Sequence, residues 1–462
     1  MSVKKILVAN RGEIACRVLR TCRNLGISSV AVYSEADAGA LHVGLADAAV
    51  AIGPSAPAQS YLDTQRVLDA ALASGADAIH PGYGFLSENA VFAAAVQKAG
   101  IAWIGPDPKT IEDMGDKERA RLLAKAAGVP ILPGSPRFTP GETARLDETA
   151  AEVGFPLLVK AAAGGGGIGM RRVDRAEDLA AALEATQSMA QRSFGDGSVY
   201  FERLVAEARH VEVQVFGFGD GHAVHLFERD CSIQRRYQKV VEESPAPGIG
   251  ASTRAAMFEA AVTLCRQERY RGAGTIEFIV DAQTEDFYFL EMNTRIQVEH
   301  PVTEMNTGLD LVAMQILLAA NAALPVQRQE DVHSSGHAIE CRIYSERPAK
   351  GFLPSPGTLA GLDFPSASPH VRIDTGVRAG DRITPYYDPM IAKVIVHGAD
   401  RTDAIARMDQ ALHETRIEGL ETNLAFLRNL IRHPVFAAGQ VRTNFIELHR
   451  AELLAPASPG AA

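Results

Sequence analysis

The chain has 462 residues, of which 47% are hydrophobic and 22% are charged, and its formal net charge is −10. This length and composition predict a globular protein of about three domains. The negative charge excludes a general basic surface for nucleic acid, although a local cationic pocket in an acidic protein can still bind a small anion.

The cysteines and the apolar runs limit the compartment in which the protein works. Five cysteines are widely spaced and form no Cys-x-x-Cys pair: Cys16, Cys22, Cys231, Cys265 and Cys341. This spacing predicts buried thiols in a reducing compartment and argues against a disulfide framework or a zinc site. The apolar run 6–9 is too short for a signal peptide, and the run 311–324 is too short for a membrane span. We therefore expect a cytoplasmic protein that binds neither nucleic acid nor membrane.

The first hundred residues alternate between strand and helix patterns. After a buried strand at 6–9, Ile14, Val18 and Cys22 recur at helical spacing. Further patterns predict strands at 29–33, 77–80 and 101–104 and a helix at 90–99. This alternation predicts a parallel sheet with helices on its faces. Ligands of such sheets bind at the carboxyl ends of the strands, where the loops 10–13 and 81–89 fall.

The rest of the chain divides at two segments that are typical of boundaries. Residues 130–145 are rich in Pro, Gly and Thr, and a second boundary is predicted near 327–336. Strands predominate between them as far as residue 295, and a helix follows at about 310–323. A final α+β segment runs to about residue 449, and the Ala-, Pro-, Gly- and Ser-rich tail is expected to be disordered.

Two acidic residues, Glu277 and Glu291, are predicted to face each other across a hairpin. Two strand patterns flank the polar turn 281–286, and pairing centred on Thr284 places these carboxylates opposite one another. Such like charges need a neutralising partner. Asn293 lies on the same face, and three oxygen ligands suit Mg²⁺ or Mn²⁺ completed by phosphate oxygens. The alternative is a solvated surface hairpin with scattered acids.

A glycine run at 164–167 follows the strand that ends at Lys160. Without a Cβ, its backbone can approach a phosphate closely and direct N–H groups at it, and the Lys160 ammonium can lie near the same anion. No Gly-Lys-Ser/Thr follows, so the run is not a Walker A loop. The segment can close over a nucleotide as a lid, with a flexible linker as the alternative.

Two more patterns place polar groups together. The alternation at 209–216 puts three valines on one face and His210, Glu212 and Gln214 on the other, which predicts a half-covered strand. The segment 235–239 is locally basic, and an ordinary charged edge strand is favoured over a functional site as its explanation.

The segment 295–301 carries a cation, an amide and a carboxylate. Strand-like alternation would place Arg295, Gln297 and Glu299 on one face, where they can hold a small oxyanion and take a proton from it. A surface charge array is the alternative. Together with the carboxylate pair, this segment predicts a metal–nucleotide site beside an anion-activating site.

Six motifs make the chain resemble the biotin carboxylase family of ATP-grasp enzymes. They are EMNTRIQVEHPVTE (291–304), NRGEIA (10–15), PGYGFLSEN (81–89), ERDCSIQRR (228–236), FLPSPG (352–357) and YYDPM (386–390), and the resemblance covers about residues 3–450 in order. It implies an α/β and α+β fold of three domains. These are an N-terminal Rossmann-like domain at 1–114, an ATP-grasp domain at 115–330 with a mobile lid at about 131–204, and a C-terminal α+β domain at 331–449, followed by a disordered tail at 450–462.

The resemblance also implies roles for individual residues. ATP would be bound by Lys117, Lys160, Gly164, Gly165, Gly166, Gly167, Glu202, the Val205 backbone, His210, Gln234 and Tyr237. Metal ligands would be Glu277, Glu291 and Asn293. Glu299 would deprotonate a bicarbonate held by Lys239, Arg295, Gln297 and the Val298 backbone, while Arg342 would steady the biotin enolate, with Tyr83 near the biotin ring.

The reaction implied by the resemblance has two stages. Glu299 takes the proton of bicarbonate, and the oxyanion attacks the γ-phosphorus of ATP while metal ions and lysines offset the charge. Carboxyphosphate then gives CO₂ and phosphate, phosphate takes the biotin N1′ proton, and the enolate attacks CO₂. The chain contains no Met-Lys-Met biotin attachment sequence and no carboxyltransferase-sized segment. A separate biotin carboxyl carrier protein and a carboxyltransferase are therefore expected, as in the acetyl-CoA carboxylase of fatty acid biosynthesis, together with a homodimer.

Two residues depart from the family pattern. Ile168 stands where many relatives carry Arg or Lys, which puts lid closure and nucleotide affinity in question, and Tyr237 stands where His or Asn is usual. Two other hypotheses stay open. One is a different ATP-grasp carboxylate–amine ligase, against which the presence of both Arg342 and Glu299 argues. The other is a catalytically impaired ATP-binding subunit, which the two departures keep possible.

Overall fold

The structure is a computed structural model that describes residues 3–142, 144–162 and 169–455. Gly164, Gly165, Gly166, Gly167 and Ile168, which were predicted to belong to the nucleotide loop, lie outside the described residues, as does the tail from 456 to 462. Within the described part, none of the helices combines the length and the apolar character needed to cross a bilayer. All five cysteines are free and buried, as predicted.

The N-terminal region forms the predicted parallel sheet, with strand order β3-β2-β1-β4-β5. Its strands are β1 Lys5–Val8, β2 Ser28–Ser34, β3 Ala48–Gly53, β4 Ala78–His80 and β5 Ala102–Trp103, and its helices are α1 Gly12–Asn24, α2 Leu41–Leu45, α3 Thr64–Ser74, α4 Ala90–Lys98 and α5 Pro108–Gly115. The central strand β1 is apolar because helices cover both faces of the sheet. Strand β3 was missed, since this edge strand is largely exposed and has no continuous run of large apolar residues.

The next region contains a small antiparallel sheet of order β7-β6-β8. Its elements are α6 Lys117–Ala126, α7 Leu146–Val153, β6 Leu157–Ala161, β7 Met170–Val173, α8 Leu179–Phe194 and β8 Val199–Arg203. An apolar core of its own holds this unit together, with Leu157, Val159, Val199 and Phe201 buried between the sheet and the helices.

The remaining strands build one large antiparallel sheet together with short accessory pairs. These strands are β9 Ala208–Phe218, β10 Ala223–Arg235, β11 Gln238–Ser244, β12 Arg271–Asp281, β13 Phe287–Asn293, β14 His337–Tyr344, β15 Glu346–Arg347, β16 Leu353–Pro354, β17 Gly357–Thr358, β18 Gly361–Asp363, β19 Val371–Thr375, β20 Arg382–Ile383, β21 Met390–Gly398 and β22 Arg416–Glu418. The helices are α9 Ala251–Gln267, α10 His300–Thr307, α11 Leu311–Ala319, α12 Arg401–Glu414, α13 Leu424–Ile431, α14 Pro434–Ala437, α15 Phe445–Leu448 and α16 Arg450–Leu453.

The large sheet has eight strands in the order β13-β12-β9-β10-β11-β14-β21-β19. It runs across the boundary predicted near 327–336, because β11 pairs with β14 through partners such as Val241 and Cys341. The valines of β9 pack against α9, a helix that was not predicted in this stretch, where strands were expected to predominate. The opposite face of the sheet is left for the polar side chains of β9 and its neighbours.

The chain stays ordered beyond the point where a disordered tail was predicted to begin. Helix α16 occupies Arg450–Leu453, and Leu453 is only 1% exposed because it packs into the C-terminal core. The prediction is therefore wrong for residues 450–453. The one large apolar residue in this segment, Leu453, gave too weak a periodic signal to predict a helix.

Candidate active site

The predicted pairing of the two acids is correct, although a bulge between Glu277 and Phe278 shifts the register by one residue on the side of the turn. Glu277 on β12 pairs with Glu291 on β13, and Thr275 pairs with Asn293. Burial raises the pKa of Glu291, and the facing charge of Glu277 raises it further. Burial also opposes ionisation of Glu277, but the charges of Lys239 and His210 hold its pKa below the usual range. One member of the pair thus keeps its charge easily, and the other needs a further cation.

Two carboxylates and an amide oxygen form a donor set that fits Mg²⁺ or Mn²⁺. Glu277, Glu291 and Asn293 offer the hard oxygen atoms that these ions prefer. Burial and then the charge of Glu277 raise the pKa of Glu291, and a divalent ion bound to its carboxylate would favour the ionised form. Among the described residues, no hydrogen bond to the Glu291 carboxylate is formed, whereas Glu277 Oε1 accepts from Asn293 Nδ2 at 2.9 Å.

A lysine at the start of β11 joins three carboxylates. The Nζ atom of Lys239 lies 2.6 Å from Glu212 Oε2, 2.7 Å from Glu277 Oε1 and 2.7 Å from Glu299 Oε1. We name the buried group around it the Lys239 cluster, which consists of Lys239, Arg229, Arg342, Glu212, Glu242, Glu277 and Glu299. Its four carboxylates outnumber its three cations, so the cluster carries excess negative charge that a further cation would offset.

The cluster contains residues to which no role had been assigned. Arg229 is fully buried, and its Nε lies 2.6 Å from Glu212 Oε1, while its terminal nitrogens donate to Gln214 Oε1 at 2.6 Å and Thr275 Oγ1 at 3.0 Å. The alternation at 209–216 was the available signal, but a half-covered strand was predicted. That prediction is wrong, because both faces of β9 are buried.

Glu299 lies between two cations, Lys239 and Arg342. Its carboxylate is fully buried, with Oε1 on Lys239 and Oε2 2.8 Å from an Arg342 terminal nitrogen. Burial disfavours the charge, but Lys239, Arg342 and Arg229 together hold the pKa of Glu299 well below its usual range. Glu299 is therefore ionised, and because the two cations hold its pKa down, weakening either contact would make it a stronger base.

The segment after β13 is a loop, so the strand-like alternation predicted for it is wrong, since β13 ends at Asn293. Two of the three residues nevertheless meet, because Arg295 donates to Gln297 Oε1 at 2.7 Å and to Asn293 Oδ1 at 2.8 Å. Gln297 in turn donates to Glu277 Oε1 at 3.1 Å. The third, Glu299, joins the same cluster through Lys239.

The basic segment 235–239 is not an edge strand. It forms the tight turn between β10 and β11, both of which are interior strands of the sheet. Arg236 and Tyr237 have φ angles of 48° and 66°. The turn sends Lys239 into the cluster, while the Tyr237 side chain stays 59% exposed at the tip.

A second group of predicted residues lies beside the small sheet. Lys160 on β6 forms a buried ion pair with Glu202 on β8. Burial lowers the pKa of Lys160, but the charge and hydrogen bond of Glu202 together with the charges of Tyr200 and Glu291 raise it above its usual value. Lys117, at the start of α6, lines a small cavity with Tyr200 and is close enough to lower the pKa of Glu291. The ammonium groups of both lysines are thus close to the carboxylate pair.

The remaining predicted residues lie at the borders of these two groups. His210 places Nε2 2.9 Å from Glu277 Oε2, and Gln234 Nε2 donates to His210 Nδ1 at 2.6 Å. Val205 lies in the loop after β8. Tyr83, in the loop after β4, donates from its hydroxyl group to Glu13 and is near enough to Arg342 for that charge to act on its pKa.

Family models match three consecutive parts of the chain. They are described as "Biotin carboxylase, N-terminal domain" over residues 2–111, "Carbamoyl-phosphate synthase L chain, ATP binding domain" over residues 116–327 and "Biotin carboxylase C-terminal domain" over residues 340–448.

Curated relatives match over nearly the whole chain. The mitochondrial methylcrotonoyl-CoA carboxylase subunit alpha of Dictyostelium discoideum is 50% identical over 457 residues, which are 99% of this chain and 65% of that protein. The chain thus spans less than two thirds of the length of this relative. Biotin carboxylase 1 of Bacillus subtilis (strain 168) is 49% identical over 97% of this chain and 99% of its own.

Solved structures show the same fold. The biotin carboxylase domain dimer of Hydrogenobacter thermophilus 2-oxoglutarate carboxylase, in complex with MgADP, ADP and bicarbonate, matches with a TM-score of 0.93 at 43% identity, covering 99% of this chain and 100% of that chain. The Campylobacter jejuni biotin carboxylase matches with a TM-score of 0.92 at 43% identity, covering 97% of this chain and 99% of that chain.

Proposed function

The chain belongs to the biotin carboxylase family of ATP-dependent ligases, and we propose that it uses ATP and bicarbonate to carboxylate a biotin carried on a separate protein. The observation that carries this proposal is the Glu299 carboxylate, held between Lys239 and Arg342 beside the Glu277–Glu291 pair. A base, two anion-binding cations and a set of metal-binding oxygens are what the activation of bicarbonate by ATP requires.

The bicarbonate end of the site is assigned to the Lys239 cluster and the loop after it. Lys239, Arg295, Gln297 and the Val298 N–H would hold the anion, and Glu299 would accept its proton at the carboxylate. When Lys239 contacts bicarbonate, it would stabilise the Glu299 carboxylate less. The pKa of Glu299 would then rise, and Glu299 would accept the bicarbonate proton more readily. Arg342, already paired with Glu299 at 2.8 Å, would then stabilise the biotin enolate near Tyr83.

The nucleotide end is assigned to the small sheet and the hairpin. Lys117 and Lys160 would contact the phosphates, with Glu202, the Val205 backbone, His210, Gln234 and Tyr237 along the rest of the nucleotide and Gly164–Gly167 over it. Glu277, Glu291 and Asn293 would hold Mg²⁺ or Mn²⁺, which offsets the charge on the phosphoryl oxygens.

Partners and domain limits belong to the same proposal. A biotin carboxyl carrier protein, a carboxyltransferase and a homodimer are supported by the names of relatives, which include a carboxylase subunit and a domain dimer. Domains at 1–114, 115–330 with a lid at about 131–204, and 331–449 are supported by the ranges of the family models. Five buried free thiols support a cytoplasmic location.

The test is the release of ADP by the purified chain with ATP, Mg²⁺, bicarbonate and a high concentration of free biotin. We expect a rate that depends on bicarbonate and rises with biotin. ATP turnover that is indifferent to bicarbonate would instead support a carboxylate–amine ligase. Nucleotide binding without turnover would support a catalytically impaired subunit.

A further inference from the structure

Lys393 is a fully buried cation for which the roles above leave no place. It lies on β21, its side chain is 0% exposed, and its partner across the sheet is Arg342. Its Nζ atom donates to the Val298 carbonyl oxygen at 2.8 Å and lies 3.1 Å from Glu13 Oε1. Because a buried ammonium is costly unless it is paired and hydrogen-bonded, these two contacts stabilise it, together with the nearby carboxyl groups of Glu340 and Asp374.

The contacts of Lys393 connect three regions of the chain. Glu13 belongs to the first turn of α1 in the N-terminal region, Val298 to the loop after β13, and Lys393 to the last third of the sequence. Glu13 also accepts a hydrogen bond from the hydroxyl group of Tyr83. A continuous line of polar contacts therefore runs from Tyr83 through Glu13 and Lys393 to the Val298 peptide.

The Val298 peptide lies in a turn that is fixed from two sides. His300 Nδ1 contacts the Gln297 carbonyl oxygen at 2.7 Å, and burial keeps the pKa of His300 well below its usual range, so the ring is neutral and donates from Nδ1. Lys393 holds the next carbonyl along, and Glu299 follows directly. Gln297, the Val298 N–H and Glu299, which are assigned to bicarbonate and its proton, therefore lie in this turn directly before α10.

We propose that Lys393 is a positioning residue, which fixes the Val298 carbonyl and thereby orients Gln297, the Val298 N–H and Glu299 towards bicarbonate. The inference rests on the proposed function. Lys393 acts through the backbone, so its loss changes how well bicarbonate is held and leaves the ATP phosphates in contact with Lys117 and Lys160. If Lys393 served folding alone, its loss would not affect the binding of bicarbonate more than the binding of ATP.

The test distinguishes the loss of the Lys393–Val298 contact from the loss of stability caused by leaving the buried Glu13 carboxylate unpaired. Lys393→Met alone leaves the Glu13 carboxylate buried without its cation and lowers stability in either case. The double variant Lys393→Met/Glu13→Gln removes both charges, so we expect its Tm to recover towards that of the unsubstituted chain. Its KM for bicarbonate should rise about tenfold, the effect of one lost hydrogen bond, while its KM for ATP changes less than twofold.

Matched controls assign the effect to the Val298 contact. Glu13→Gln alone keeps the Lys393 donor on Val298, so its KM for bicarbonate should stay near that of the unsubstituted chain. Lys98→Met changes an exposed lysine on α4 and should alter neither KM. Should the double variant fail to fold, as judged by circular dichroism, Lys393→Gln/Glu13→Gln replaces it and is judged by the same ratio of KM values.

Two results would overturn the inference. One is an unchanged KM for bicarbonate in the folded double variant, and the other is an equal rise in the KM for ATP. Both presuppose an unsubstituted chain that turns over ATP in response to bicarbonate. Turnover that ignores bicarbonate in that chain would overturn the proposed function, and this inference with it.

Discussion

Two clusters of charges, one buried and one partly exposed, differ in how well their charges balance. The Arg17 cluster, where α1, α10 and β19 meet, consists of Arg17, Arg20, Arg372, Glu304, Asp310 and Asp374. It has as many arginines as carboxylates. The arginines hold the pKa values of Glu304 and Asp374 below their usual range, although burial opposes this.

The Lys239 cluster has more carboxylates than cations, and its acids respond in opposite directions. The pKa of Glu299 is lowered by the neighbouring cations. The pKa values of Glu212 and Glu242 are raised instead, mainly by burial, and that of Glu242 reaches about 7. A balanced cluster is complete as it stands and supports the fold. An unbalanced one is stabilised further by a ligand, which is why such shifts concentrate at functional sites.

The largest expected effect is on turnover, through the base in the Lys239 cluster. Glu299→Gln should reduce the bicarbonate-dependent release of ADP by about 10³-fold, since the amide cannot accept the proton, while ATP still binds. Steady-state kinetics and nucleotide titration measure the two quantities. Turnover equal to that of the unsubstituted chain would remove the base assignment.

Breaking the balanced cluster should affect stability and leave the chemistry alone. Arg17→Met leaves Glu304 buried without one of its cations and should lower the free energy of unfolding by about 3 kcal/mol. Urea denaturation measures the change. The KM for bicarbonate of the folded variant should be unaltered, and a selective rise in that KM would show that the two clusters do not have separate roles.

Removing one charge of the facing carboxylate pair should not destabilise the fold, in contrast to the loss of Arg17. Glu291→Gln relieves the repulsion from Glu277, so Tm should stay constant or rise. The concentration of Mg²⁺ needed for half-maximal turnover should increase about tenfold, because one hard ligand is weakened. A magnesium titration checks this, and an unchanged requirement would count against Glu291 as a ligand.

The smallest effect concerns pH. The pKa of Glu242 is raised from 4.5 to about 7 in the folded chain, so the folded state holds this proton more tightly than the unfolded state. The stabilisation of the fold by the protonated Glu242 side chain is therefore complete below pH 4.5 and is lost as the pH rises through 7. Glu242→Gln keeps the neutral form at every pH. The Tm of the variant should therefore exceed that of the unsubstituted chain by a few degrees at pH 8, with little difference at pH 4.5. A gain of equal size at both pH values would contradict the shift.

Local patterns were enough for features that neighbouring residues control. The pairing of Glu277 with Glu291 joins two adjacent strands across a short polar turn, so short-range rules predicted it, although a bulge between Glu277 and Phe278 is needed to bring the two acids opposite each other. The parallel sheet follows from alternating strand and helix patterns in the same way. Both predictions are confirmed.

Features that depend on distant segments were missed or misjudged. The polar residues of β9 have the alternation of a solvent-facing strand, yet Arg229 and Lys239 cover them. The segment 235–239 is basic, as edge strands often are, yet β11 is an interior strand because it pairs with β14, which lies about a hundred residues further along the chain.

The sequence by itself determined the hairpin with its two facing acids, the parallel sheet and, through its motifs, the family. Only the tertiary structure decided which charges are buried together, as in the contacts of Glu299 with Arg342 and of Val298 with Lys393. The physical reason is that strand pairing and side-chain alternation act over a few residues, whereas the pKa and partner of a buried charge are set by whatever the whole fold brings within hydrogen-bonding distance.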